Sequence, residues 1–349
     1  MPDSQTLERK RILFLVLNWG LGHATRSEVL IQALIDQDFE VHIGSDGDAL
    51  SVLKKSFPNQ TFYELPAYDI RYGSGAGNLL KLLLQAPAAM SVMKRERKFV
   101  RSLHERYQFH GVISDNRPGT NIPGIPSVYI THQLNIKAGL MSKQVSAAHA
   151  RLYREFDEIW VPDDELHSLS GELSVPRSEL SVRCIGSLSR LKRTEAQRRM
   201  PWAAILSGPE PARTEWENEL RSIREALPQG GLIVRGKPEE NSSEEGFVDY
   251  LNRDELSQLY ADTDVVICRS GYSTLMDLDA LGKKALLIPT PGQTEQEYLA
   301  VHQTNEGWRT AKQGECDYAS ELEILKKTST PDTRGQSLPN DLFGLFEGE

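Results

Sequence analysis

The residues in this sequence that could do chemistry gather at the ends of apolar runs. The first group is the turn Asn18-Trp19-Gly20-Leu21-Gly22-His23-Ala24-Thr25-Arg26, which follows the unbroken apolar run Ile12–Leu17. Glycines at the carboxyl end of a buried strand let a ligand approach the backbone, and the helix start behind them favours negative or partly negative groups. Gly20, Gly22 and His23 occupy this turn, but their spacing is not G-x-G-x-x-G and no acidic residue stands where a dinucleotide would need one. His23 is the candidate general base, because a reference pKa of ~6.5 suits proton uptake near neutrality; capping the helix is its plain structural alternative. The second group, Ser114-Asp115-Asn116-Arg117-Pro118-Gly119, closes another apolar run and so lies on the same rim of a parallel sheet. Asp115 is expected to orient His23 and stabilise its protonated form as a His-Asp dyad, with a loop or N-cap role as the alternative. Asn116 and Arg117 in that loop, and Thr131, His132 and Gln133 after the next run, are expected to line the same crevice, His132 being the second candidate base.

The third group spans Cys268 to Ala300, CRSGYSTLMDLDALGKKALLIPTPGQTEQEYLA. Ser270 and Gly271 follow a buried strand, and Ser273 and Thr274 open a helix whose unpaired first amides suit a diphosphate. Asp277, one turn further, is placed to accept from ribose hydroxyls. The loop after the following strand presents Gln293, Glu295 and Gln296, a donor and acceptor set suited to a sugar. An earlier turn, Ser207 to Pro211 with Gly208, opens another helix, and Arg213 or Arg235 nearby is expected to balance the charge of a departing diphosphate. Asp163-Asp164 falls in a connecting loop, so no carboxylate pair is placed to hold a metal and none is expected. Cys184, Cys268 and Cys316 are far apart and outside any Cys/His cluster, which excludes a disulfide framework and a zinc site and fits a cytoplasmic protein.

These groups need elements to hold them, and the chain is long enough for two cores: 349 residues, 39% hydrophobic and 26% charged. A net charge of −9 argues against nucleic acid as an obligatory partner, and no apolar stretch is long enough for a membrane span. Apolar runs recur at Glu40–Ile43, Thr61–Leu65, Gly111–Ser114, Ser127–Thr131, Glu158–Val161 and Ser181–Ile185, alternating with helical patterns such as Ser27–Ile35. That alternation is the mark of βαβ units and a parallel sheet. It restarts with Trp202–Leu206, Gly231–Val234, Glu245–Val248, Val265–Cys268 and Ala285–Pro289, with helices over Thr214–Ala226, Glu255–Tyr260 and Thr274–Ala280. The expected organisation is an N-terminal Rossmann-like domain over 10–186, a linker over 187–201, a C-terminal Rossmann-like domain over 202–328 and a loosely ordered tail over 329–349, of which Leu342–Phe346 has the composition to dock. Leu79–Met93, rich in Leu, Ala and Met and interrupted by Pro87, runs into Lys94, Arg95, Arg97, Lys98, Arg101 and Arg106 with Glu96 and Glu105. An apolar stripe beside a basic face suits an anionic membrane surface, and equally an amphipathic helix pair packed on the N-terminal sheet.

From Arg11 to about Trp308 the ordered set of motifs resembles the GT-B glycosyltransferases, and within them the branch containing the lipid II-forming N-acetylglucosaminyltransferase. The pair RSGYST and PTPGQTEQE carries most of the likeness, with Gly20, Gly22 and His23 matching the family's first turn and Gln296 with Glu297 its sugar-contacting pair. Two positions depart from the pattern: Asp277 stands where a Glu is common, and Ser207–Pro211 replaces a Gly-Gly-Ser type turn. The resemblance implies two Rossmann-like domains facing a central cleft. It also implies a C-terminal domain that binds a nucleotide-sugar, usually a UDP-sugar; the residues expected to contact it, by their place on the rim, are Gly208, Arg213, Arg235, Ser270, Gly271, Ser273, Thr274, Asp277, Gln293, Glu295 and Gln296. The N-terminal domain would then present Gly20, Gly22, Asn116, Arg117, Thr131, His132 and Gln133 to a saccharide or lipid-linked acceptor. The expected reaction is inverting, metal-independent sugar transfer without a cofactor, at the inner face of the cell membrane or in the cytoplasm. A nucleotide-sugar hydrolase or epimerase, and a catalytically silent sugar-nucleotide binder, are the alternatives.

Overall fold

The computed structural model describes residues 9–68, 78–137, 141–176, 179–237, 240, 243–305, 308–333 and 338–348, with the side chains of 78–86 and 305 left aside. The chain divides into two units: residues 1–162, 173–186 and 337–349 form the first, and 163–172 with 187–336 the second. Both are parallel α/β sheets, and each is built by runs that the apolar pattern marks.

In the first unit the described strands are β1 (Arg11–Val16), β2 (Glu40–Ser45), β3 (Thr61–Glu64), β4 (Gly111–Asp115), β5 (Ser127–Ile130), β6 (Glu158–Val161) and β7 (Val182–Cys184). They lie in the order β3-β2-β1-β4-β5-β6-β7, every neighbouring pair parallel. Residues 12–16 of β1 have no exposed surface, which is why that strand is apolar throughout rather than alternating. The order turns back at β1 and β4, whose register sets Val16 against Asp115. That reversal opens the crevice where ligands of such sheets bind, beyond the carboxyl ends of the strands. Helix α1 (Leu21–Asp36) starts there, six residues earlier than the apolar periodicity from Ser27 suggests, because its first turn is the Gly-rich segment itself. Helix α2 (Gly47–Ser56) follows β2, and α4 (Ser142–Tyr153) precedes β6. Helix α3 (Asn78–Tyr107) runs on through Pro87 as one helix, where the proline suggests a pair.

In the second unit β8 (Met200–Ile205), β9 (Leu232–Val234), β10 (Phe247–Val248), β11 (Thr263–Cys268), β12 (Lys284–Leu287) and β13 (Arg309–Thr310) lie in the order β10-β9-β8-β11-β12-β13. Here the reversal is at β8 and β11, with Ile205 against Cys268. Helices α5 (Ala212–Ile223), α6 (Arg253–Asp262), α7 (Tyr272–Leu281), α8 (Thr294–Asn305) and α9 (Tyr318–Lys327) complete the layers. Trp202, Trp216, Leu220, Ile267, Leu286 and Tyr318 are core residues on one face of this sheet.

Two expectations about the chain's connections need correcting. The stretch expected as a linker is built into the second unit: Leu188 and Leu191 are buried, Ser187 donates to Asp279 at 3.0 Å, and Ser189 donates to Asp277. The tail returns to the first unit instead of ending loosely. Phe343 and Phe346 are each 2% exposed and lie against Trp160 at 6.0 and 6.3 Å between ring centroids. Phe346 fills a notch that exists because residue 111 is glycine, since a Cβ there would meet its ring at 2.2 Å.

Candidate active site

On the first unit's rim the backbone arrives at Gly20 with φ +71°, a conformation glycine adopts without strain, and no atom lies within 4 Å of where its Cβ would be. Helix α1 starts immediately after it with no side-chain cap and no acid in its first turn, so its leading amides face the crevice uncompensated. One turn on, His23 Nδ1 lies 2.8 Å from Asp115 Oδ1 at the end of β4. Asp115 has no exposed surface and is held from several sides. Arg26 Nε donates to its Oδ2 at 2.7 Å, Arg26 Nη2 donates to its Oδ1, and Ser27 Oγ donates to Oδ2 at 2.9 Å. Burial alone would raise this acid, but the neighbouring charges of Arg26 and His23 win and hold its carboxyl well below the usual range. Asp115 is therefore an ionised acceptor, and His23 must carry its hydrogen on Nδ1 to donate to it. That tautomer leaves the Nε2 lone pair able to take a proton, and the side chain keeps 13% of its surface exposed.

Asp115 does orient His23, as its place on the rim suggests, yet the imidazolium is not favoured. Burial lowers the His23 pKa and the Arg26 charge lowers it further, against the raising influence of Asp115. Nothing in the sequence assigns a role to Arg26, the last residue of the Gly-rich turn, or to Ser27, the first of the helical pattern; they are 3% and 0% exposed. Arg26-Ser27-Glu28 are three consecutive polar residues near the start of α1, and only the structure shows that all three are buried.

The other residues expected on this rim fare differently. Thr131 and His132, 1% and 7% exposed, lie just past β5, Thr131 Oγ1 accepts from Gln133 N at 3.0 Å, and Arg26 Nη1 comes within 3.4 Å of His132 Nδ1. Asn116 takes a left-handed φ of +61° and its Oδ1 accepts from Tyr129 at 2.9 Å. Arg117 is a correction. It has no exposed surface, it is paired with Glu96 and, at 2.6 Å, with Asp46, and it donates to the carbonyls of Val16 and Pro66 at 3.2 and 2.7 Å. A guanidinium locked beneath the rim cannot reach a bound molecule; it pins the ends of β1, β2 and β4 together.

The second unit has a matching rim. Gly208 follows β8 with φ +106°, and the space at its missing Cβ opens toward Thr290 Oγ1, 3.8 Å away, an oxygen that is buried without a hydrogen-bond partner. Gly271 caps α7, whose first turn holds Ser273 and Thr274 and no acid, with no side-chain cap. Ser270 Oγ donates to the Gln296 carbonyl at 2.8 Å, Gln296 Oε1 accepts from Thr290 N at 2.9 Å, and Gln296 Nε2 donates to Gln293 at 2.6 Å. Glu297 accepts from Gly292 N at 3.0 Å. The structure thus gathers Gly208, Ser270, Gly271, Gln293 and Gln296 into one rim with the start of α8, which also carries Glu295. Asp277 is joined to it through α7 and is bonded by Ser189; burial raises its pKa to about 7.

The two arginines expected to balance a diphosphate are corrected in the same way as Arg117. Arg235 is 11% exposed and is bonded to Glu217 at 2.7 Å and Asp249 at 2.6 Å and paired with Glu240 at 2.8 Å, while Arg213 is tied to Glu210 and the Gly236 carbonyl. Their charge is already spent on carboxylates. Arg269 is the cation that the sequence reading passed over. Almost wholly buried, it lies 4.1 Å over the Trp216 ring and donates to the carbonyls of Ile288, Pro289 and Ala212 and to Gln313. Burial lowers its pKa to about 10. Among the described residues no group of three or more His, Cys, Asp or Glu side chains is placed to hold a metal ion.

Comparison with known proteins fits both rims. Residues 237–324 match the family model for the glycosyltransferase family 28 C-terminal domain, and residues 10–145 match glycosyl transferase family 1. The chain is 23% identical over 302 residues to the UDP-N-acetylglucosamine--N-acetylmuramyl-(pentapeptide) pyrophosphoryl-undecaprenol N-acetylglucosamine transferase of Pasteurella multocida, covering 84% of this chain and 80% of that one. The chain is a GT-B glycosyltransferase. Its fold is shared with the crystal structure of Acinetobacter baumannii MurG, at a TM-score of 0.59 and 13% identity over 97% of this chain and 98% of that one. A spinosyn rhamnosyltransferase, SpnG, solved with thymidine diphosphate, shares it at a TM-score of 0.58 and 16% identity, over 91% and 90% of the two chains. In this glycosyltransferase the family 28 match contains β11, α7, β12 and the whole of α8, elements that carry the Ser270, Gly271, Gln293 and Gln296 part of the second rim.

Proposed function

We propose that this glycosyltransferase moves a sugar from a nucleotide-sugar, a UDP-sugar by its likeness to the Pasteurella enzyme, onto an acceptor hydroxyl with inversion and without a metal ion. The observation that carries the reading is the His23–Asp115 bond at the end of β4, which leaves His23 Nε2 as a lone-pair acceptor on the rim. His23 takes the proton of the attacking hydroxyl as it reaches the anomeric carbon opposite the leaving group. The first amides of α7, with Ser273 and Thr274, and the Gly208 turn take the departing diphosphate, and the α7 dipole supplies charge stabilisation there. Gln293, Glu295 and Gln296 hold the sugar, and Asp277 holds the ribose.

A lipid-linked or saccharide acceptor follows from the same likeness, with the protein at the inner face of the cell membrane. No helix among the described residues is long and apolar enough to cross a membrane. Peripheral contact is supported by α3, where Met90 is 57% exposed and Lys94, Arg95, Lys98, Arg101 and Arg106 are exposed, although Arg97 is paired with Glu155 and the side chains of 79–86 lie outside the described residues. Such contact predicts flotation with anionic vesicles that salt abolishes.

The test is a panel of nucleotide-sugars screened by thermal shift, followed by nucleoside diphosphate release with and without saccharide and lipid-linked acceptors. Release that requires an acceptor, with product of inverted anomeric configuration, is the expected result. Rapid release without acceptor would make the protein a hydrolase. Donor binding with no turnover under any acceptor would make it a silent binder.

A further inference from the structure

We propose that Arg26 is the positioning residue that keeps His23 neutral: by satisfying both oxygens of Asp115 it shares that carboxylate's charge between a permanent cation and the imidazole, so His23 holds its proton on Nδ1 only. The inference rests on the reading of His23 as the base and adds what sets its working range. An unaccompanied carboxylate beside a histidine favours the imidazolium, because the full negative charge faces the ring. Here two donors converge on one oxygen. His23 Nδ1 and Arg26 Nη2 both reach Asp115 Oδ1, and the two nitrogens are 3.0 Å apart. A guanidinium only donates, so Nη2 makes no hydrogen bond to an Nδ1 that already carries its hydrogen; what it brings is a positive charge 3.0 Å from the ring, which opposes a second proton on Nε2. Arg26 is 3% exposed and Asp115 not at all, so water screens the arrangement little.

The charged and titratable groups facing His23 are Arg26 on its own helix, Asp115 from β4 and His132 from the segment after β5. Arg26 and a protonated His132 act in one direction, and Asp115 acts in the other. The consequence is a base that stays unprotonated in weakly acidic solution, where an ordinary dyad histidine would have taken up its proton and stopped. Ser27, bonded to Asp115 Oδ2 at 2.9 Å, fixes the carboxylate without adding charge.

The experiment is an NMR titration of the His23 ring in the free, full-length protein, with kcat/KM measured across the same pH range. In the wild type the midpoint should lie below the ordinary ~6.5. In Arg26→Gln it should rise by about one unit, a tenfold gain in the ratio of protonated to neutral ring at any given pH, and the acidic limb of kcat/KM should move up with it. Arg26→Lys, which keeps the charge, should restore most of the wild-type midpoint. A wild-type midpoint at or above 6.5 overturns the proposal whether or not the variants fold, and so does an unmoved midpoint in folded Arg26→Gln. Because the titration needs no turnover, it is separable from the base assignment: full activity in His23→Ala would remove His23 as base while leaving the titration result standing.

Discussion

Replacing Arg117 with methionine separates a buried clamp from a ligand contact. In the wild type the guanidinium is wholly enclosed, paired with Glu96 and Asp46, and it donates to two backbone carbonyls at the ends of β1 and β3. Glu96 is also wholly enclosed and accepts from Tyr68 at 2.6 Å, so without Arg117 it keeps a hydrogen bond but loses its counter-charge. Removing one member of a buried pair costs about 3–5 kcal/mol, and two carboxylates lose their partner here, which places Arg117→Met at the upper end. That is a large share of the roughly 5–15 kcal/mol that holds a domain together. The cost should depend on pH. An orphaned buried carboxylate has its pKa raised, so it can regain neutrality by protonation at pH 5 but not at pH 8. Urea unfolding at both values is the assay, with Arg117→Met expected to lose more stability at pH 8 and Glu96→Gln in the same background to recover part of it. A variant of wild-type stability at pH 8 that binds acceptor poorly would refute the clamp and return Arg117 to the rim.

Two further outcomes follow from the fold. Phe346→Ala empties the notch over Gly111 and should cost about 3–5 kcal/mol, the usual range for a buried phenylalanine; an unchanged melting temperature would mean that the tail does not hold the first unit. Asp277, raised to about 7 when folded and near 3.8 when unfolded, keeps its proton longer in the native state, so its contribution is present at low pH and lost as pH rises through about 7. Asp277→Asn should therefore narrow the fall in melting temperature between pH 5 and pH 8, and an equal fall in both proteins would show that the carboxyl is ionised throughout.

The parallel sheets were legible because a strand covered on both faces cannot hide its composition: Ile12–Leu17 reads as a strand and lies in β1 up to Val16, Val265–Cys268 lies wholly in β11, and β6 matches to the residue. The rims followed, since a strand's carboxyl end in such a sheet is where glycine, serine and a lone acid have a use. What the sequence concealed was the state of its charges. Arg117, Arg213 and Arg235 look no different from exposed arginines, and Arg117 finds Asp46 at a separation of 71 positions. Arg26 and Asp115 are 89 positions apart, so the pair that governs His23 appears only once β1 and β4 are laid side by side. Pro87 misled for a local reason, as its ring usually interrupts a helix. The polar stretch 187–201 misled because its few apolar residues, Leu188 and Leu191, are the ones that anchor it.

The most direct test of the central claim is turnover by His23→Ala with donor affinity measured by calorimetry on the same preparation. Loss of the base should cut sugar transfer by about 10²- to 10⁴-fold, because the acceptor hydroxyl then attacks with its proton in place. Affinity for the nucleotide-sugar should stay within about two-fold, since the α7 rim is untouched. Transfer retained within a few-fold of the wild type would contradict the account and move the base to His132.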